Sequence, residues 1–204
     1  MNVFEKSLLT YFPEPILRKL GTVSIGIAGA GGLGSNCAMN LVRSGFKKIL
    51  ICDFDKVEIK NLNRQFYFLD QLGKAKVIAL SENLKRINPD LNIDARQLRI
   101  DAQNAQETFA QCDVIIEAFD CAISKKILFE NCAKFAKLYV GASGIAGWGN
   151  SDSLVVKKIS DRIYIVGDGV SEACKSLPPC SPRVNIAAAK EADIVLNWAL
   201  TNYM

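Results

Sequence analysis

The sequence predicts an α/β fold: a Rossmann-like, doubly wound, mostly parallel sheet with an antiparallel edge at its C-terminal end. Three observations carry that expectation. Short β-branched runs alternate with helix-length amphipathic segments from Thr22 to Gly141, a spacing that calls for right-handed crossovers between parallel strands. The first apolar run passes directly into glycines at 29, 31, 32 and 34, and a helix-compatible stretch follows. Beyond Gly141 the rhythm changes to two short runs separated by Ser160-Asp161, which reads as a hairpin.

Each element follows in order. Leu8, Leu9, Tyr11, Phe12, Ile16, Leu17 and Leu20 form an apolar stripe that Pro13 and Pro15 split into two short helical pieces, an N-terminal extension over residues 1–20. A nucleotide-binding core over 21–142 opens with a strand at 23–28 and a helix at 33–44, ended by Gly45. A second strand, 48–52, is bounded by Asp53. The polar, irregular stretch 55–73 is longer than most connections, and long loops in compact domains are usually functional. Val77, Leu80, Leu84 and Ile87 mark one face of a helix over 74–88, stopped before Pro89. A strand at 93–100, a short helix at 104–111, a strand at 114–118, a helix at 123–136 and a strand at 138–141 complete the core. The last segment, 143–204, holds the hairpin (154–159 and 162–166), a loop at 168–182 with three prolines and two cysteines, and an Ala-rich helix at 185–200.

The 204 residues suit one domain, long enough to bury about 70% of the surface of its unfolded chain. The net charge of +4 is spread along the sequence, without the basic stripe interleaved with aromatics that nucleic acid requires. No apolar run has the length of a bilayer span and no leader pattern opens the chain, so neither a nucleic-acid nor a membrane partner is expected and a cytoplasmic location is. Five of the seven cysteines (37, 52, 112, 121 and 132) fall in expected helices, strands or their ends, the pattern of buried free thiols in a reducing compartment. There is no histidine, which excludes imidazole-based hydrolysis and His-ligated zinc.

The glycines, with the preceding strand and following helix, form a phosphate cradle at a helix N-terminus. Asp53, about twenty residues on, is placed to accept ribose hydroxyls. These features alone do not separate NAD from ATP. The next segment does, because cleaving a triphosphate requires cations where charge builds on phosphoryl oxygens. Asp55 leads into Asn61-Leu62-Asn63-Arg64-Gln65. Arg64 offers a planar donor fork suited to phosphate, with Asn61 and Gln65 to orient groups around it. Lys76, in a first helical turn that its charge opposes, is a further phosphate or ribose contact, with Lys74 as its neighbouring candidate and a solvated lysine as the alternative. Asp120, after the strand at 114–118, suits Mg²⁺ or else a helix cap, a role open also to Ser124.

Taken in order, Gly-x-Gly-Gly-Leu-Gly-Ser, Asp-Phe-Asp-x-Val, Asn-Leu-x-Arg-Gln, Gly-Lys-x-Lys-Val and Asp120 at a strand end resemble the ubiquitin-activating-enzyme-like superfamily, and within it the ThiF/MoeB type. The resemblance covers residues 23–141 and implies ATP-dependent adenylation of the C-terminal glycine carboxylate of a ubiquitin-fold sulfur carrier, ThiS above all, in thiamine biosynthesis. It implies that Gly29, Gly31, Gly32 and Gly34 hold phosphates, with Gly32 at the closest approach, that Asp53 binds ribose, and that Asn61, Arg64 and Lys76 reach the phosphates. Asp120 would organise Mg²⁺, Arg64 and Asp120 being the catalytic pair, and the chain would form a homodimer. An attacking carboxylate is already ionised at neutral pH, which accommodates the missing histidine. The sequence departs from the pattern in three places. It has no Cys-x-x-Cys, so no structural zinc is expected; Arg18 is the sole arginine before residue 21; and Cys121 stands where the family usually has Asn. Cys174 and Cys180 are the thiols open to a covalent link with the carrier, or inert. Arg183-Val184-Asn185 extends the likeness towards the C-terminus. Two alternatives stand beside this one: a dehydratase acting on a modified tRNA base, which calls for a more basic surface, and an NAD-binding oxidoreductase or non-catalytic dinucleotide-binding module.

Overall fold

The computed structural model of the protein describes residues 1–201; the last three residues of the C-terminal segment lie outside them. Seven strands, β1 (Ser24–Ala28), β2 (Lys48–Cys52), β3 (Asn92–Arg96), β4 (Val114–Glu117), β5 (Leu138–Ala142), β6 (Val155–Ser160) and β7 (Ile163–Gly167), form a sheet in the order β3-β2-β1-β4-β5-β7-β6. All neighbours are parallel except β6 and β7. The helices are α1 (Val3–Leu8), α2 (Glu14–Leu20), α3 (Gly32–Arg43), α4 (Lys76–Lys85), α5 (Ala105–Phe109), α6 (Ala122–Cys132) and α7 (Ser181–Thr201). The doubly wound sheet and antiparallel edge match the expectation.

Alternation along buried strands divides the core in two. Ile25, Ile27, Ile49, Ile51, Val114, Ile116 and Val140 pack under α2, α3, α4 and α7. Leu50, Ile115 and Tyr139 pack with Phe109, Leu128 and Cys132 of α5 and α6 on the opposite face. Gly26 permits that second layer to sit close, since a Cβ there would lie 2.6 Å from the Phe109 ring. α7 lies along α3 through small residues, Ala187, Ala188 and Ala192, all buried. The N-terminal extension folds back on its own domain. Leu8, Leu17 and Leu20 are buried, and Glu5 of α1 pairs with Lys47 at 2.6 Å and accepts from Asn88 Nδ2. Burial opposes the charge of Glu5, yet Lys47 and Asn88 hold its carboxyl below the ordinary range.

Element ends differ from expectation for identifiable reasons. β3 stops at Arg96 rather than Ile100 because its neighbour β2 ends at Cys52, the residue paired with Arg96, so the ladder has no further partner. The hairpin turn falls one residue later than expected, at Asp161-Arg162, because the register shifts between Lys158 and Ser160 and Ile159 bulges. α7 begins at Ser181, four residues early, because proline is tolerated in a first helical turn and Pro182 does not break it. α4 and α6 are shorter than expected, ending at Lys85 and Cys132. Four of the five cysteines expected to be buried are so, but Cys121 is exposed at the start of α6.

Candidate functional site

Strand order reverses at β1 and β4, whose C-terminal ends diverge into loops on opposite faces, and a cleft of about 810 Å³ opens there. The four glycines serve it for different steric reasons. Gly29 has φ +104°, and a Cβ on it would approach the Ala118 carbonyl oxygen to 2.7 Å. On Gly34 a Cβ would overlap the Gly29 carbonyl oxygen at 1.9 Å, so this glycine lets α3 begin directly against the turn. Gly32 is held open by packing, since its Cβ would meet Val184 of α7 at 2.9 Å. Gly31, the N-cap of α3, has nothing closer than Gln65 at 3.9 Å, so here the backbone is bare towards the cleft. First-turn N–H groups have no intrahelical acceptor, which makes this end of α3 an anion-binding surface.

Asp53, buried at the end of β2, fixes the turn. Its Oδ2 accepts the Ala30 N–H at 2.7 Å and its Oδ1 that of Asp55 at 2.8 Å. The buried Tyr67 hydroxyl donates to the Ala30 carbonyl at 2.7 Å and to that of Lys76 at 3.3 Å. The 55–73 stretch is pinned onto α3 by that helix's buried polar residues: Ser35 Oγ accepts from the Phe66 amide, and Asn36 Nδ2 donates to the Gly32 and Arg64 carbonyls. Asn61 is buried and accepts the Glu58 N–H. Arg64 bonds the Lys60 carbonyl and Asn63, and no carboxylate pairs with it among the described residues. Gln65 is buried with its Oε1 unpartnered.

Lys76 is neither solvated nor free. It is 6% exposed, and its Nζ meets Asp55 Oδ2 at 2.8 Å beside the cleft. Lys74 is spent on a surface pair with Glu82. Asp120 stands exposed at the end of β4, and no hydrogen bond or ion pair ties its carboxylate among the described residues. Neither it nor Ser124 caps α6; Cys121 occupies the N-cap. The amides of Ser124 and Ile123 hold the Cys121 thiol below its ordinary range.

Gly29, Gly31, Gly32, Asp53, Asp55, Asn61, Arg64, Gln65, Lys76 and Asp120 all line the cleft; Gly34, whose part is steric, does not, nor do Lys74, Cys174 and Cys180. Three groups were not foreseen. Phe54, Leu98, Ile100 and Phe119 give the β2–β3 end of the cleft an apolar wall, with the Arg99 guanidinium 5.0 Å over the Phe54 ring. A Phe immediately after Asp53 was the available sign; Leu98, Arg99 and Ile100 lie in the segment expected to continue as strand, and Phe119 follows β4. Glu117, buried on β4, accepts from Lys125 Nζ at 3.0 Å through both oxygens, while Nζ also donates to the Ala142 carbonyl at 2.9 Å. Burial pushes the Glu117 carboxyl up, and Lys125 opposes that shift. The third is Arg183, buried beneath the loops beyond β5 and β7 and paired with Asp168 at 2.7 Å.

A profile of the ThiF family matches residues 5–170. The chain belongs to the ThiF family. Among the curated relatives of this ThiF-family chain, a probable molybdopterin-synthase adenylyltransferase of Porphyra purpurea is 35% identical over 123 residues, 60% of this chain and 32% of the relative. The ubiquitin-like modifier-activating enzyme 5 of Dictyostelium discoideum is 29% identical over 184 residues, 80% of this chain and 46% of the relative. The ThiF-family chain thus spans less than half the length of these two relatives. In fold it is similar to the E. coli tRNA N6-threonylcarbamoyladenosine dehydratase TcdA, solved in complex with ATP, with a TM-score of 0.86 and 20% identity over 97% of this chain and 93% of that one.

Proposed function

We propose that this chain binds ATP with Mg²⁺ and adenylates the C-terminal glycine carboxylate of a ubiquitin-fold sulfur carrier of the ThiS type, as a homodimer, in thiamine biosynthesis. The observation that carries the proposal is the distribution of charge across the cleft. Arg64, without a carboxylate partner among the described residues, stands beside the N-terminus of α3, Lys76 lines the same cleft, and so does Asp120 at the end of β4, whose carboxylate nothing ties among the described residues. That arrangement suits a polyphosphate bridged by a divalent cation and serves no purpose in hydride transfer.

The residues assign themselves to parts of the reaction. Gly31 and the amides opening α3 hold phosphate oxygens, Asp53 retains lone pairs for ribose, and the Phe54–Phe119 wall takes the base. Gln65, with an acceptor lacking a donor, completes the polar lining. Asp120 fits Mg²⁺ as one carboxylate ligand of an ion that keeps most of its waters. When bound, that ion would neutralise charge on the phosphate oxygens. A carrier carboxylate oxygen then attacks the α-phosphorus; the new O–P bond forms as the bond to the bridging oxygen breaks, and pyrophosphate leaves with that electron pair. Arg64 and Lys76 stabilise the departing charge, and no general base is required.

Pyrophosphate exchange into ATP tests this, with a recombinant ThiS-type carrier ending in Gly-Gly. Exchange should require carrier and Mg²⁺ and fall by about 10²-fold or more in Asp120→Ala. Exchange that is absent with the carrier, or indifferent to Asp120, overturns the proposal. The fold shared with TcdA supports one second reading, adenylation of a carboxylate on a modified tRNA base; dependence on tRNA instead of carrier would establish it.

A further inference from the structure

The cleft has two unlike halves. Glycine turn, Arg64 and Lys76 occupy one. The other, beyond β5 and β7, is walled by Ser143, Gly144 and Ala146 on one loop and Gly169, Ser171 and Ala173 on the next. These small side chains leave room for an extended acyl acceptor, with Lys125 Nζ held on Glu117 and the Ala142 carbonyl, Glu172 on the second loop and Lys157 Nζ beside Gly169 as the charges near it. The two loops are cross-bonded through main chain, Asp168 N–H to the Gly144 carbonyl at 2.9 Å and Gly169 N–H to that of Ser143 at 3.0 Å. Their backbone is unusual: Gly144, Gly167 and Gly169 have φ of +73°, +135° and +79°, and Asn150, a non-glycine, has φ +36°. Glycine adopts such φ values freely and asparagine more readily than other residues, so the sequence itself permits the shape that the cross-bonds hold.

One ion pair ties the two loops together. Asp168 Oδ1 accepts the amides of Val170 at 2.9 Å and Ser171 at 2.8 Å, while its Oδ2 accepts Arg183 Nη2 at 2.7 Å. Arg183, in the first turn of α7, uses Nη1 to reach the carbonyls of Gly149 at 3.0 Å and Asn150 at 3.1 Å and Ser153 Oγ at 3.4 Å. A single side chain therefore grips both loops, with only 5% of it exposed. Gly144 has no side chain where that carboxylate sits; a Cβ would overlap Asp168 Oδ1 at 2.0 Å. Arg183 itself does not line the cleft, although its neighbour Val184 does.

We propose that Asp168 and Arg183 are positioning residues for the acceptor half of the cleft, setting the spacing of the 143–146 and 169–173 walls and thereby the KM for the acyl acceptor. The inference rests on the adenylation reading above. Neither residue touches the phosphate half, so ATP affinity and turnover at saturating acceptor should be nearly independent of them.

The test compares wild type with Arg183→Gln, Arg183→Lys and Asp168→Asn in the whole chain. MgATP dissociation constants are measured by calorimetry, and pyrophosphate exchange is followed against the concentration of the recombinant ThiS-type carrier. Arg183→Gln should raise the carrier KM roughly tenfold while kcat and the ATP dissociation constant stay within about threefold, and Arg183→Lys should restore most of the loss. If Arg183→Gln does not fold, Asp168→Asn decides, since its Oδ1 still accepts both loop amides. An unchanged carrier KM in an active, folded variant overturns the inference, as does loss of ATP binding in step with KM. No exchange from a wild type that binds ATP overturns the carrier reading and this inference together, an outcome separable from the first because there the wild type is active.

Discussion

Glu191 offers the sharpest physical test of the fold. It lies on α7, fully buried, and neither carboxyl oxygen meets a hydrogen-bond partner. Burial pushes its carboxyl far up; Glu117 on β4 adds to that, Lys125 on α6 opposes it, and Cys37 on α3 is the other titratable neighbour. The native state therefore keeps a proton that the unfolded chain releases near pH 4.5. Between that pH and the raised native value, folding binds a proton, and wild-type stability falls as pH rises. Glu191→Gln keeps the shape and removes the titration. Each pH unit over which the native carboxyl keeps its proton while the unfolded one has lost it is worth about 1.4 kcal/mol, so the variant should gain on wild type as pH rises from about 5.5. For a chain of this length that corresponds to roughly 3–6 °C per pH unit in the difference between melting temperatures. Urea unfolding followed by circular dichroism at pH 5.5, 6.5 and 7.5 measures it. Any offset common to the three pH values reports only the exchange of hydroxyl for amide. A difference that does not grow with pH would mean that Glu191 is ionised in the native state, and the account of its burial would be wrong.

Three further outcomes are expected. Gly34→Ala places a Cβ 1.9 Å from the Gly29 carbonyl oxygen, so the turn must shift, with a loss of at least about 1–3 kcal/mol in denaturant unfolding and no calorimetric signal for ATP; wild-type affinity would refute it. Tyr67→Phe leaves the Ala30 carbonyl without its hydroxyl donor in a buried site and should cost about 1–3 kcal/mol, read as a shifted urea midpoint at constant slope. Lys76→Met removes the cation paired with Asp55; ATP affinity should drop by about tenfold or more while NAD, if it binds at all, is little affected, and equal losses for both nucleotides would argue against a phosphate role.

Much of the site was legible because its parts are local. The glycine spacing, Asp53 at a strand end and Arg64 in a long polar loop are each set by chemistry within a few residues, and all reach the cleft. What misled were positions whose meaning depends on a distant partner. Lys76 looked equally like a solvated lysine until the chain brought Asp55 against it. That Gly32 must lack a side chain for packing could not be read locally, because Val184, which a Cβ there would meet at 2.9 Å, comes from the far end of the sequence. Residues 97–100 continue the apolar pattern of a strand, yet leave the sheet because the neighbouring strand has ended.

By itself the sequence determined the fold class, the parallel order of strands and helices, the antiparallel edge and the end of the sheet where the cleft opens. Hydrophobic period and glycine placement act within single elements and need no knowledge of their neighbours. Only the tertiary structure decided which charges are paired and which are free. Asp168 meets Arg183 and Glu117 meets Lys125, while among the described residues Glu191 meets no hydrogen-bond partner and Arg64 no carboxylate. Whether a charged group is neutralised, satisfied or left available depends on atoms within a few ångströms, and folding draws those atoms from different elements, as from β4 and α6 for Glu117 and Lys125.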